Sequence, residues 1–140
     1  MKKNFNEVKK EYDQKYHDEF NKTGVFWAFT NAQFDENKTH KDAPDSEYLS
    51  IGCGGYIHKS NKEKLDNFNN VIAPQLKKEF ADSIDINDLI DYELSNHECY
   101  YTYEYSDAAY YVKNYFDLDI KTILEMVKKR FYENIERGNI

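Results

Sequence analysis

Apolar residues recur at steps of three and four along most of this chain, and that period restricts its fold more than any single motif. Phe5, Val8, Tyr12, Tyr16 and Phe20 form the first stripe, with Lys, Asp and Glu between them. Residues spaced this way share one face of a helix. An amphipathic helix is therefore expected at the start, closed at Thr23-Gly24, where glycine accepts the left-handed backbone of a helix end. A second stripe, Leu65, Phe68, Ile72, Leu76 and Phe80, follows a capping-box pair, Ser60 and Glu63. Pro74 interrupts it and predicts a kink or break near Ala73. A third stripe runs Ile86, Leu89, Ile90, Glu93/Leu94, His97 and Tyr101, with Asp85 as N-cap. Ser106 caps a short helix bearing Ala108, Tyr111, Val112 and Tyr115. Asp119 caps the last helix, whose stripe of Ile120, Ile123, Leu124, Val127, Phe131 and Ile135 stops at Gly138.

Between the helices the period shortens. Val25-Phe26-Trp27-Ala28-Phe29 is wholly apolar and β-favouring, which suggests a strand buried on both faces with Trp27 in the core. Thr30 and Gln33 suggest a capping box for a short helix through Asn37, and residues 38–46 read as an exposed loop. Tyr48-Leu49-Ser50-Ile51-Gly52 suggests a second strand, turning through Cys53-Gly54-Gly55 as a hairpin or glycine-rich bend. Tyr100 to Tyr105 alternates in a way that also fits a strand. The expected fold class is α+β, mostly helical, with about five or six helices and a small two- or three-stranded antiparallel sheet. No repeat, linker or low-complexity tract is visible in 140 residues, so one domain over 1–140 is the simplest organisation.

Charge and cysteine content exclude several function classes. The net charge is −7, which argues against direct nucleic-acid binding and against an anionic membrane surface. No window approaches the length of a membrane span, and the first residues lack the apolar run of a signal peptide. The expected address is the bacterial cytoplasm, with Cys53 and Cys99 reduced. The spacing of Cys53, His58, His97 and Cys99 fits no closed metal site, so no metal or other cofactor is expected.

Three local features bear on chemistry. Gly52-Cys53-Gly54-Gly55 follows a strand but lacks the Lys-Ser/Thr ending of a phosphate loop, and glycines there favour close backbone packing. Asn96-His97-Glu98 places an imidazole on an apolar stripe, where both ring nitrogens need partners. A structural His satisfied by backbone or a Tyr hydroxyl is the plainer reading, and a general base within a pocket the sharper one. Meeting of His97 with the glycine bend and the Val25–Phe29 strand would supply those partners. The third feature is the crowding of Tyr100, Tyr101, Tyr103, Tyr105, Tyr110 and Tyr111 around Glu104 and Asp107. A core cannot take all of these rings, and exposed Tyr beside carboxylates suits contact with a basic partner surface. AT-rich codon usage is the plainer account of the same residues.

Residues 25–34, 48–56 and 93–98 together carry a pattern: an aromatic strand ending Ala-Phe-Thr before a Gln-Phe helix, then Ser-Ile-Gly-Cys-Gly-Gly, then Glu-Leu-Ser-Asn-His-Glu. In this combination the chain resembles a family of small uncharacterised proteins encoded by bacteriophages and other mobile elements, over roughly residues 10 to 105. Thr30 stands where that pattern has Ser, which keeps the capping chemistry. The resemblance implies a mobile-element setting and no catalytic activity. The expected function is a non-catalytic accessory protein of a phage or mobile element. Its partner is a host or phage protein, and inhibition of a CRISPR or restriction nuclease is its most concrete form. The alternative is a small enzyme or small-molecule binder using Gly52–Gly55 with His97 and Glu98. A third reading is an acidic nucleic-acid mimic.

Overall fold

The computed structural model describes residues 4–138 and shows an α+β fold, mostly helical, with one three-stranded antiparallel sheet. The chain divides into two compact units, residues 12–76 and residues 1–11 with 77–140.

The first of these holds most of α1 (Phe5–Asn21), then β1 (Phe26–Trp27), α2 (Asn31–Asn37), β2 (Tyr48–Gly52), β3 (Gly55–His58), α3 (Lys62–Asn67) and the start of α4 (Ala73–Asp82). β3 lies between β1 and β2. Phe26 pairs with Tyr56 and Tyr48 with His58, and Phe34 of α2 packs on Phe26, Tyr48 and Tyr56 at 5.2–5.5 Å. The hairpin loop is Cys53-Gly54, both at positive φ (52° and 81°), as a type I′ turn requires. The stripe of α1 meets the next helix as its period demands: Tyr16 and Phe20 stand edge-on to Phe68, which is 1% exposed.

Two expectations fail in this unit, and a third is met in an unexpected form. Trp27 is not core, for it is 48% exposed, and the strand shortens to Phe26–Trp27 with only Phe26 buried. A two-residue edge strand has one packed face, and its neighbour residue points away. Ser60 forms no capping box; the His58 ring takes the Ser60 N–H, and a 3-10 turn over Lys59–Asn61 delays α3 to Lys62. The kink or break expected near Ala73 takes the form of a widened turn just before it. The chain widens into a π-turn over Phe68–Ile72, with the Ala73 N–H reaching back to Phe68 O, and Pro74 then enters α4 near its start. The wider turn removes the clash that a proline ring makes in a regular α-helix.

The other unit holds the rest of α4, then α5 (Ile86–Asn96), α6 (Cys99–Thr102), α7 (Ser106–Lys113) and α8 (Ile120–Glu136). α7 packs against both α5 and α8. Ala108 and Ala109 let the helices approach, and Leu89, Ile90, Leu94, Val112, Ile123, Val127 and Phe131 are all fully buried. Each such side chain is worth roughly 1.5–3 kcal/mol of burial, so this cluster anchors the unit. Phe5 adds ring contacts to Phe80 and Tyr92. Asp85 and Asp119 cap α5 and α8, accepting N–H bonds from Asn87 and Thr122. Ser106 does not cap α7: its own N–H is taken by the Glu104 carboxylate at 2.7 Å. Tyr100–Tyr105 is not a strand, because one helical turn and a left-handed residue occupy it.

Candidate functional site

α5 ends at Asn96, and the next seven residues make a sharp double corner. Glu98 and Tyr103 are both left-handed, at φ 53° and 58°, and bracket the single turn of α6. A non-glycine residue pays roughly 1–2 kcal/mol for that backbone, so neighbouring contacts must hold it. The Glu98 carbonyl accepts the Tyr101 and Thr102 N–H groups, and the Tyr103 N–H donates to Cys99 O at 2.8 Å. Cys99 is fully buried beneath the turn. Burial pushes its thiol up, which disfavours the thiolate.

The tyrosines of this segment divide into two groups. Tyr100 lies flat on Phe131 at 5.1 Å, and Tyr105 packs on the same ring at 5.5 Å. Both are half-buried supports. The Tyr100 hydroxyl accepts from Asn134 Nδ2, which also donates to Asp91 Oδ1. Arg130 completes this network with two bonds to Asp91, at 2.8 and 2.7 Å. Burial alone would raise the Asp91 carboxyl; the bonds from Arg130 and Asn134 and the guanidinium charge outweigh it, so the net shift is downward. Tyr101 and Tyr103, by contrast, are 88% and 66% exposed. Tyr110 and Tyr111 are also exposed, as are Glu104 and Asp107. The Glu104 carboxyl is held low by its bonds from Ser106.

Tyr103, Tyr105 and Tyr132 line a groove of about 510 Å³ between the α6–α7 corner and α8. Lys121, Glu125 and Lys128 of α8 form its other wall with Leu124, and Glu104 stands across from them. Of these α8 residues only Leu124 belongs to the apolar stripe read from the sequence, although 121, 125, 128 and 132 are spaced as one helical face.

His97 sits at the C-cap of α5, just past the helix. Its Nε2 is 3.0 Å from Glu93 Oε2, and the Tyr111 ring lies 4.3 Å from its own. Its polar partner is thus a carboxylate one turn back on α5, where the backbone of the glycine bend was expected. Glu93 is 4% exposed, and burial raises its carboxyl against the lowering pull of His97. Asn96 and Glu98 are exposed, and Glu98 contributes its backbone to the corner. Gly52, Cys53, Gly54 and Gly55 form the hairpin of the other unit. The Cys53 thiol is exposed and carries no hydrogen bond among the described residues. No group of three or more His, Cys, Asp or Glu that would hold a metal ion occurs among the described residues. No helix among them is long and apolar enough to cross a membrane.

A model of a family of unknown function, DUF7659, matches residues 8–133. The chain belongs to that family. No curated protein and no solved structure matches it. The DUF7659 match takes in all three motifs of residues 25–34, 48–56 and 93–98, the whole tyrosine-rich corner and most of α8. It assigns no chemistry to any of them.

Proposed function

We propose that this chain is a non-catalytic protein-binding protein, and that the exposed tyrosines of the α6–α7 corner, together with the groove between that corner and α8, receive its partner. One observation carries the reading: Tyr101 and Tyr103 are 88% and 66% exposed on a corner that two left-handed residues and the Phe131 packing hold in place. Rigid Tyr rings give large contact area at little entropic cost, and they are enriched among residues that dominate interface energies. The groove carries both signs of charge, with Lys121, Glu125 and Lys128 on the α8 wall and Glu104 on the other. The favoured partner surface is therefore mixed in charge, a change from the basic surface that the tyrosine segment alone suggested. The partner is a host or phage protein in the bacterial cytoplasm. Inhibition of a CRISPR or restriction nuclease is the form that fits a mobile-element setting and a net charge of −7.

The rival reading is a small enzyme or small-molecule binder built on Gly52–Gly55 with His97 and Glu98. The His97 Nε2 is engaged by Glu93, and Glu98 is exposed. Affinity purification from bacterial cells, read by mass spectrometry, tests the proposal. The Tyr101→Ala/Tyr103→Ala double variant should fold and lose the partner that the parent chain captures. A folded double variant that keeps every partner would show that the corner is not the interface.

A further inference from the structure

The residue 12–76 unit carries a cavity of its own, independent of the tyrosine groove. It has a volume of about 340 Å³ and is walled by Phe29, Phe34, Tyr48 and Tyr56, with Asp45 as its one charged lining residue. Phe34 meets Tyr48 and Tyr56 at 5.2 Å, with interplanar angles of 79° and 88°. Rings set at right angles turn π faces in more than one direction. The Tyr48 ring is fixed from behind, for its hydroxyl donates to His40 O and accepts the His40 N–H.

Phe29 decides the character of the site. It is 75% exposed, a position that burial energetics alone do not favour. Its backbone is nonetheless pinned: the Phe29 N–H donates to Gln33 Oε1, and Thr30 Oγ1 accepts the Gln33 N–H. Its ring rests on Gly54 so closely that a Cβ there would lie 2.4 Å from it. A glycine at φ +81° and a capping pair thus hold an aromatic ring at the edge of a cavity, out of the core.

An aromatic face carries the negative end of a quadrupole, and several faces around one space attract a cation that is weakly hydrated. A carboxylate beside them adds to that attraction and repels anions. Asp45 is 69% exposed; Lys38, only 15% exposed, stands 3.6 Å from its Oδ1, an ionic contact too long for a hydrogen bond. We propose that this cavity binds an alkylammonium group, seated against Phe29, Phe34 and Tyr56 and drawn in by Asp45. The group belongs either to a free organic cation or to a methylated lysine of a polypeptide.

NMR titration of the full chain tests this, with choline and its uncharged isostere 3,3-dimethyl-1-butanol as probes. Choline should shift the ring resonances of Phe29, Phe34 and Tyr56 and saturate, while the alcohol should not. Phe29→Leu and Asp45→Asn, both at exposed side chains, should leave the circular dichroism unchanged and weaken choline binding about two- to fivefold each. Titration with a short trimethyl-lysine peptide separates the sources. Tighter binding than choline assigns a polypeptide side chain, and weaker binding assigns a free cation. Equal binding of the alcohol, or no saturable shift with either cation, would overturn the proposal.

Discussion

The Asp91 network offers the sharpest test of how the α5–α8 unit is held together. Asp91 accepts two bonds from Arg130 and one from Asn134, and so ties α5 to α8 and, through Asn134, to Tyr100 beneath the exposed corner. Asp91→Ala removes all three acceptor contacts at once. A buried bond to a charged group is worth roughly 1.5–3 kcal/mol. Here the side chains of Arg130 and Asp91 are 22% and 36% exposed, so water replaces part of what is lost and the two Arg130 bonds together merit only about 1–2 kcal/mol. Asn134 is 4% exposed and keeps Tyr100 as its acceptor, adding about 1 kcal/mol for the donor left short. The expected loss is about 2–3 kcal/mol, or a Tm lowered by roughly 6–10 °C. The effect should depend on pH with a defined sign. The Asp91 carboxyl is held below its ordinary 3.8, so its contribution is present above that value and disappears as pH falls through the folded pKa. Thermal unfolding of both proteins from pH 7 down to pH 2 reads this directly. The two curves should be separated at neutral pH and converge in acid. An unchanged Tm at pH 7, or a gap that stays constant into acid, would refute the reasoning.

Two further outcomes follow from the same structure. Glu93 has its carboxyl raised above 4.5 by burial, so its ionisation works against folding as pH rises through that window; Glu93→Gln should remove this component, seen as a flatter stability profile above pH 4.5 in urea titrations. Gly24→Ala should destabilise by about 1–2 kcal/mol or more in the same assay, because the position has φ +83° and the added Cβ would stand 2.5 Å from Asn61 Nδ2.

Helical stripes proved the legible part of this sequence. The face of α8 that carries Ile123, Val127 and Phe131 is buried where the period places it, and Asp85, Asp119 and Thr30 accept the N–H groups expected of caps. Such signals are local, since a period or a cap needs only a few neighbouring residues. The failures share a different cause. Ser60 lost its capping role to His58, whose ring also takes Glu47 from eleven residues earlier in the chain. Trp27 lost its core position because only the Phe26 face of β1 is covered, by Phe34, Tyr48 and Tyr56, and which face is covered depends on tertiary packing. Neither contact is written in the residues beside it.

The tyrosine corner shows where the two kinds of information meet. Composition announced that Tyr100–Tyr111 holds more rings than one buried face accepts, and the structure sets Tyr100 and Tyr105 on Phe131, Tyr103 edge-on to the same ring while largely exposed, and Tyr101 in solvent. Which ring goes where is set by the left-handed residues at Glu98 and Tyr103, each of a type that seldom takes that backbone. Neither glycine nor asparagine marks these positions, so propensity gives no warning. What holds them is the buried Cys99, the Tyr100–Phe131 stack and the Glu104–Ser106 bond acting together. Strain of this kind persists only where surrounding contacts over-determine it. Here the contacts that stabilise the unit are the same ones that keep Tyr101 and Tyr103 pointed outward, so exposure of these two rings is a consequence of the core and not of a loose loop.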